Sequence, residues 1–157
     1  MLVFSSRIKD SLQILERSLN LYTRSKDANN LRDKISRGYY ACYHACIAAI
    51  LLKEKFNYDP STGSSHKTVR DVYKSLYSPK KGQIVKIKNY DEVMKLWKTL
   101  RESADYEIFT KDFEEPDEEF TKNELNRMYS FVNAHVSYVK TKVPTEWGHD
   151  LTIFTEM

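Results

Sequence analysis

"SRGYYACYHACIAAILL", residues 36–52, decides how this chain folds. Leu31, Ile35, Tyr39, Cys42, Cys46 and Ile50 fall on one stripe of a helical wheel, while Arg37, Tyr40, His44, Ile47 and Leu51 fall on the opposite side. A helix that is apolar on two sides must be surrounded. The spacing therefore predicts a central helix over residues 29–56. Gly38 costs such a helix ~1 kcal/mol relative to alanine, which suits a place where another helix comes close.

The flanks supply the helices that would surround it. Upstream, Ile8, Leu12, Leu15, Leu19 and Tyr22 step along one face of a helix over 5–26, with Ser5 or Ser6 as cap. Downstream, "NYDPSTGSS" is a loop punctuated by Pro60 and Gly63. A third helix follows over about 65–78, with Val69, Val72, Tyr73 and Leu76 inward. "SPKKGQ" breaks it, and "IVKIK" is a strand-like run with no partner, hence an extended connector. A fourth helix covers about 90–108, with Asn89 and Glu92 spaced as a capping box. Its core face is Val93, Leu96, Leu100 and Ala104, with Trp97 beside them. The fifth is expected to begin at a Thr121/Glu124 capping box, with Phe120 and Leu125 as a hydrophobic staple, and to end at Pro144.

The expected architecture is all-α: an up-and-down bundle of four to five helices over residues 1–143, with 144–157 as a C-terminal extension. Composition agrees. Four glycines and four prolines are too few for the many turns of a barrel or sandwich. A chain of 157 residues buries roughly 70% of its unfolded surface, enough for one real core. The longest apolar run, "ACIAAILL", is too short to span a bilayer, and the opening "MLVFSSRIKD" lacks the pattern of a signal peptide. Cys42 and Cys46, four apart on one helix, make a poor disulfide and read as reduced core thiols. That suits a cytoplasmic protein.

Charge is uneven although the net is only +3. Lys67 to Arg101 holds ten Lys/Arg against three Asp/Glu, whereas "KDFEEPDEEF", residues 111–120, holds six acids and one lysine. The basic stretch could attract phosphate or could simply be a solvated face. No phosphate-cradling glycine loop, zinc-protease motif, CxxC pair or nucleophile elbow is present. Nothing in the sequence calls for a metal or another cofactor.

Two polar constellations remain. Arg37, Tyr40 and His44 share one face of the central helix, where the guanidinium could bind phosphate or pair with a buried carboxylate. In "RESADYE", residues 101–107, Arg101 and Asp105 stand one turn apart, and Asp105 could turn toward Arg37. His66, at the start of the third helix, is a further candidate, either for the site or as a surface first-turn residue.

"ISRGYYACYHACIAAILL", "SSHKTV" and "LRESADYE", in this order on the second, third and fourth helices, resemble HEPN domains. The similarity is to the small prokaryotic branch, whose pattern runs Ser-Arg-x-Tyr-Tyr-Ala, Ser-His and Arg-x-x-Ala-Asp-Tyr. It covers residues 6–142 in helix layout. The resemblance implies a homodimeric helical bundle that accompanies a minimal nucleotidyltransferase as a toxin–antitoxin or defence pair. The polar residues Arg37, Tyr40, His44 and Asp105 are the candidates for binding nucleotide or RNA. Many members are metal-independent ribonucleases with an Arg-x4–6-His motif. Here Arg101 matches the arginine, but Tyr106 stands where the histidine would be. His44 has the right distance from Arg37 but lies on the wrong helix. The catalytic candidates are therefore Arg101 as phosphate clamp, His66 as substitute proton carrier, and Tyr106, which could also accept a nucleotidyl group from the partner. The departure favours a binding protein that does not cut. A toxin ribonuclease and a purely structural interaction protein are the alternatives.

Overall fold

The computed structural model describes residues 2–54, 56, 64–78, 80–85, 90–106 and 118–143. Five helices account for most of them: α1 (Leu2–Asp27), α2 (Leu31–Lys53), α3 (Ser64–Leu76), α4 (Tyr90–Tyr106) and α5 (Glu118–Lys142). The protein is an all-α bundle. The expected Asn89 cap, most of the connector and the 144–157 extension lie outside the described residues. Among the described residues, no helix is long and apolar enough to cross a membrane.

α2 is the central helix and packs against all four others. Asn30 caps its start, its side chain accepting from the Asp33 N–H at 2.8 Å, and Asp33 suits the positive end of the helix dipole. From Ala41 to Ile50 every residue except His44 is buried. Cys42 and Cys46 are both buried, and neither is in a disulfide.

The closest packing is between α1 and α2, and alcohols make it possible. Ser11, Ser18 and Ser25, seven apart along α1, are all fully buried. Their hydroxyls donate to the carbonyls of Ala48 (2.7 Å), Ala41 (2.6 Å) and Lys34 (2.6 Å), also seven apart but descending along α2. The two helices are therefore antiparallel and in one register. Small side chains on both faces let the backbones approach, and each buried hydroxyl has its partner. Ser18→Leu is expected to cost about 2–4 kcal/mol, combining overpacking with a lost hydrogen bond. Ser18→Ala should cost about 1 kcal/mol or less. Urea midpoints of the two variants check this.

Gly38 is where three helices meet. A Cβ there would lie 3.2 Å from Leu125 Cδ1 on α5 and 3.3 Å from Ser25 Oγ on α1, which explains its place inside a helix. α3 runs in the same sense as α2, which departs from the expected up-and-down order. Tyr39, in the first half of α2, meets His66 at the start of α3, and the Tyr77 hydroxyl just past α3 reaches the Ala49 carbonyl near the end of α2. α4 runs opposite to α3, with Asp91 beside Arg70.

The start of α5 corrects the sequence reading. Thr121 and Glu124 are not a capping box; the helix has already begun at Glu118, and both residues are buried inside it. The Glu124 carboxylate accepts from Trp97 Nε1 on α4 at 2.8 Å and from Arg127 Nη1 at 2.9 Å. A partner from another helix claims the group that local spacing assigned to the helix end. Phe120 is 39% exposed instead of serving as a buried staple.

Candidate functional site

Three helices converge on one cluster of rings and cations. α2 contributes Tyr39, Tyr40 and Tyr43, three residues that fall within little more than one turn and so crowd one level near the middle of the helix. α3 contributes His66 from its first turn. α4 contributes Arg101, which follows Trp97 by four residues and therefore points the same way. Trp97 is wholly buried against Phe131, edge to face at 5.6 Å, and this fixes the face that α4 turns inward.

Arg101 is only 5% exposed. Its guanidinium carbon lies 5.5 Å from the centre of the Tyr39 ring and 5.3 Å from that of Tyr40. The negative faces of the two rings offset part of the cost of taking the charge out of water. Glu102, whose carboxylate is 3.9 Å from Arg101 Nη2, is held more closely by Lys98, at 3.3 Å.

His66 Nδ1 and the Tyr39 hydroxyl are 2.7 Å apart. The imidazole also lies over Tyr43, 4.6 Å between centres, and close to Tyr40, at 6.1 Å. Burial, and then the charges of Arg101, Lys98 and Arg70, lower the His66 ring to about 4, with Glu102 opposing. At neutral pH the ring is therefore uncharged. Burial holds the Tyr39 hydroxyl above the ordinary tyrosine range despite Arg101 and Arg70, so the phenol keeps its proton. An anion entering this cluster would favour the protonated imidazole, so His66 can take up a proton as such a ligand arrives.

Of the residues singled out from sequence, Arg101, His66 and Tyr40 come together here. Arg37 does not. Its Nη1 donates to the Arg24 carbonyl at 3.4 Å, on the last turn of α1, not toward α4. α1 occupies that side, and Arg37 is parted from Tyr40, which turns to the Arg101 cluster. His44 is also elsewhere. Its Nδ1–H donates to the Tyr40 carbonyl one turn back, at 2.8 Å, and Arg17 of α1 is the charge that acts on it. Burial lowers its pKa. Asp105 and Tyr106 close α4, and their side chains lie outside the described residues. Tyr39, read as core, proves to be the hydroxyl that holds His66. Arg70 was absorbed into the basic run, although it stands one turn beyond His66 on the same face.

No family model, curated protein or solved structure matches this chain. The site is therefore interpreted from its own chemistry. It combines a buried guanidinium, aromatic faces, a neutral imidazole and a protonated phenol. That set can bind a phosphate and move a proton beside it. Among the described residues, no three His, Cys, Asp or Glu side chains are grouped to hold a metal ion.

A second buried histidine belongs to the core. His135 on α5 is fully buried, and its Nδ1–H donates to the Phe131 carbonyl at 2.7 Å. Its Nε2 must then accept, and it takes the Tyr73 hydroxyl at 2.7 Å. Both ring nitrogens are thus engaged within the core.

Proposed function

We propose that this chain is a HEPN-type protein that binds the phosphate of a nucleotide or RNA in the Arg101 cluster. In this proposal it acts as a homodimer, in a toxin–antitoxin or defence pair with a minimal nucleotidyltransferase. The observation that carries the binding role is the Arg101 guanidinium, buried over Tyr39 and Tyr40 beside the Tyr39–His66 pair. The motif resemblance carries the partner and the dimer. The Arg-x-x-Ala-Asp-Tyr run supports a neutralising nucleotidyl transfer in which the Tyr106 hydroxyl attacks the α-phosphate of a nucleoside triphosphate, pyrophosphate leaves and the phenolic proton is lost, so that the chain gains the mass of one nucleoside monophosphate less water.

The test is binding of a mixed RNA pool and of nucleotides as salt is raised. Arg101→Ala is expected to weaken binding by about 10–100-fold, the loss of a charge-assisted hydrogen-bonding group. The loss should be similar across RNA sequences, with a shallower salt dependence. Native and Arg101→Ala proteins that bind RNA equally would reject the Arg101 site.

One observation favours a second reading, a metal-independent ribonuclease. His66 and Arg101 both lie against the rings of Tyr39 and Tyr40, so a proton carrier stands beside the proposed phosphate clamp. Chelator-resistant cutting of the pool, lost in both Arg101→Ala and His66→Ala, would establish it. Absence of cutting by folded protein whose intact mass shows no added nucleotide would leave the binding role alone.

A further inference from the structure

α3 brings a second arginine to the cluster. Arg70 follows His66 by four residues, so both leave the same face of α3. It is 8% exposed. Its Nε lies 3.9 Å from Asp91 Oδ1, beyond hydrogen-bonding reach, and that carboxylate is held by Lys95 at 3.1 Å. Nε and Nη1 are both buried, and neither has a hydrogen-bond partner. A guanidinium taken out of water with unspent N–H groups destabilises the fold that carries it. Its charge acts on the Tyr39 hydroxyl and the His66 ring, the two groups on which Arg101 also acts.

We propose that Arg70 is a ligand-binding residue whose Nε–H and Nη1–H groups donate to a phosphomonoester that Arg101 holds from the α4 side. This rests on the phosphate-binding reading above and adds the class of phosphate. Two guanidinium groups around one tyrosine–histidine pair match a group carrying about two negative charges, as a phosphomonoester does near neutral pH. A phosphodiester inside a strand carries about one. The ligand is thus a terminal phosphate, on a free nucleotide or on an RNA end, and not the interior of a strand.

The test uses the full chain and labelled RNAs of one sequence with a 5′-phosphate, a 3′-phosphate or hydroxyls at both ends. A nucleoside monophosphate and its nucleoside serve as competitors. Native protein is expected to bind one of the phosphorylated RNAs about 10–100-fold more tightly than the hydroxyl-ended RNA. The monophosphate should compete and the nucleoside should not. Competition without RNA binding identifies a free nucleotide as the source and still supports the inference. Arg70→Gln should erase the preference for the phosphorylated RNA over the hydroxyl-ended one, while Arg70→Lys should keep part of it. Without ligand, Arg70→Gln should melt no lower than the native protein, because an unsatisfied buried charge is gone.

Equal binding of all three RNAs overturns the inference and leaves the phosphate-binding reading standing. A preference that survives in Arg70→Gln, or a clear fall in that variant's ligand-free melting temperature, assigns Arg70 to another role. Failure to bind any RNA or nucleotide removes both proposals.

Discussion

Trp97→Ala is expected to remove a large part of the stability of this protein. The side chain is wholly buried, packs edge to face on Phe131, and donates its indole N–H to Glu124 at 2.8 Å. Truncating a buried tryptophan costs about 3–5 kcal/mol through lost transfer energy and the cavity left behind. Glu124 is itself buried, and losing a donor to a buried carboxylate adds about 1–3 kcal/mol. A typical domain has only about 5–15 kcal/mol to lose. Trp97→Phe separates the two effects, because it keeps a ring against Phe131 and removes the N–H. Its expected cost is about 1–3 kcal/mol. Urea unfolding followed by far-ultraviolet circular dichroism measures both variants. A Trp97→Phe protein as stable as native would mean that Arg127 alone satisfies Glu124.

The second large effect is acid instability. Burial lowers the His135 imidazole to about 4, the hydrogen bond to the Phe131 carbonyl opposing it. In the unfolded chain the same ring titrates near 6.5. Between these values the unfolded chain binds a proton that the folded chain refuses. The contribution of His135 is therefore complete above about pH 6.5 and is lost as pH falls toward 4. At about 1.36 kcal/mol per pKa unit the loss approaches roughly 3 kcal/mol. His66 is lowered in the same direction and steepens the same limb, more weakly because it is partly exposed. Urea midpoints between pH 7.5 and 4 should show the decline. A His135→Leu, Tyr73→Phe double variant, which removes the titrating ring and its hydroxyl partner together, should show a shallower one. An equally steep decline in that variant would place the acid sensitivity elsewhere.

Both effects arise from contacts between residues far apart in sequence, and this is where sequence reading ended. The helices were legible because apolar periodicity is broken by the polar runs "SKDANN", "NYDPSTGSS" and "SPKKGQ". The start of α5 was misread because Thr-x-x-Glu has the same spacing whether it caps a helix or lies within one. What decides is the indole of Trp97, 27 residues away. In the site, "SSHKTV" and "LRESADYE" pointed to His66 and Arg101. The tyrosine run marked Tyr40 but hid Tyr39, whose hydroxyl faces His66 while its ring sits in the core. Arg37 was grouped with Tyr40 and given the wrong neighbour, since a helical wheel cannot say which helix lies on which side. His135 gave no signal, because its partner Tyr73 is 62 residues away. The serines of α1 stand at heptad spacing, but serine beside a leucine stripe reads equally well as solvent-facing, and only the carbonyls of α2 decide.

Those serines also determine where the chain can tolerate a change in length. The rungs at Ser11, Ser18 and Ser25 depend on their angular positions around α1 and not on the path by which the chain reaches α2. An extra residue in the turn at Ala28–Asn30 leaves all three where they are. The same residue inserted between Ser11 and Ser18 turns every position on one side of it by about 100° around the helix axis. At least one hydroxyl then leaves its carbonyl, and a larger neighbour, Leu12 or Arg17 depending on which side turns, enters a gap sized for serine. Length variation in this hairpin is therefore confined to its bend, and seven residues is the smallest insertion that returns the remaining rungs close to their places.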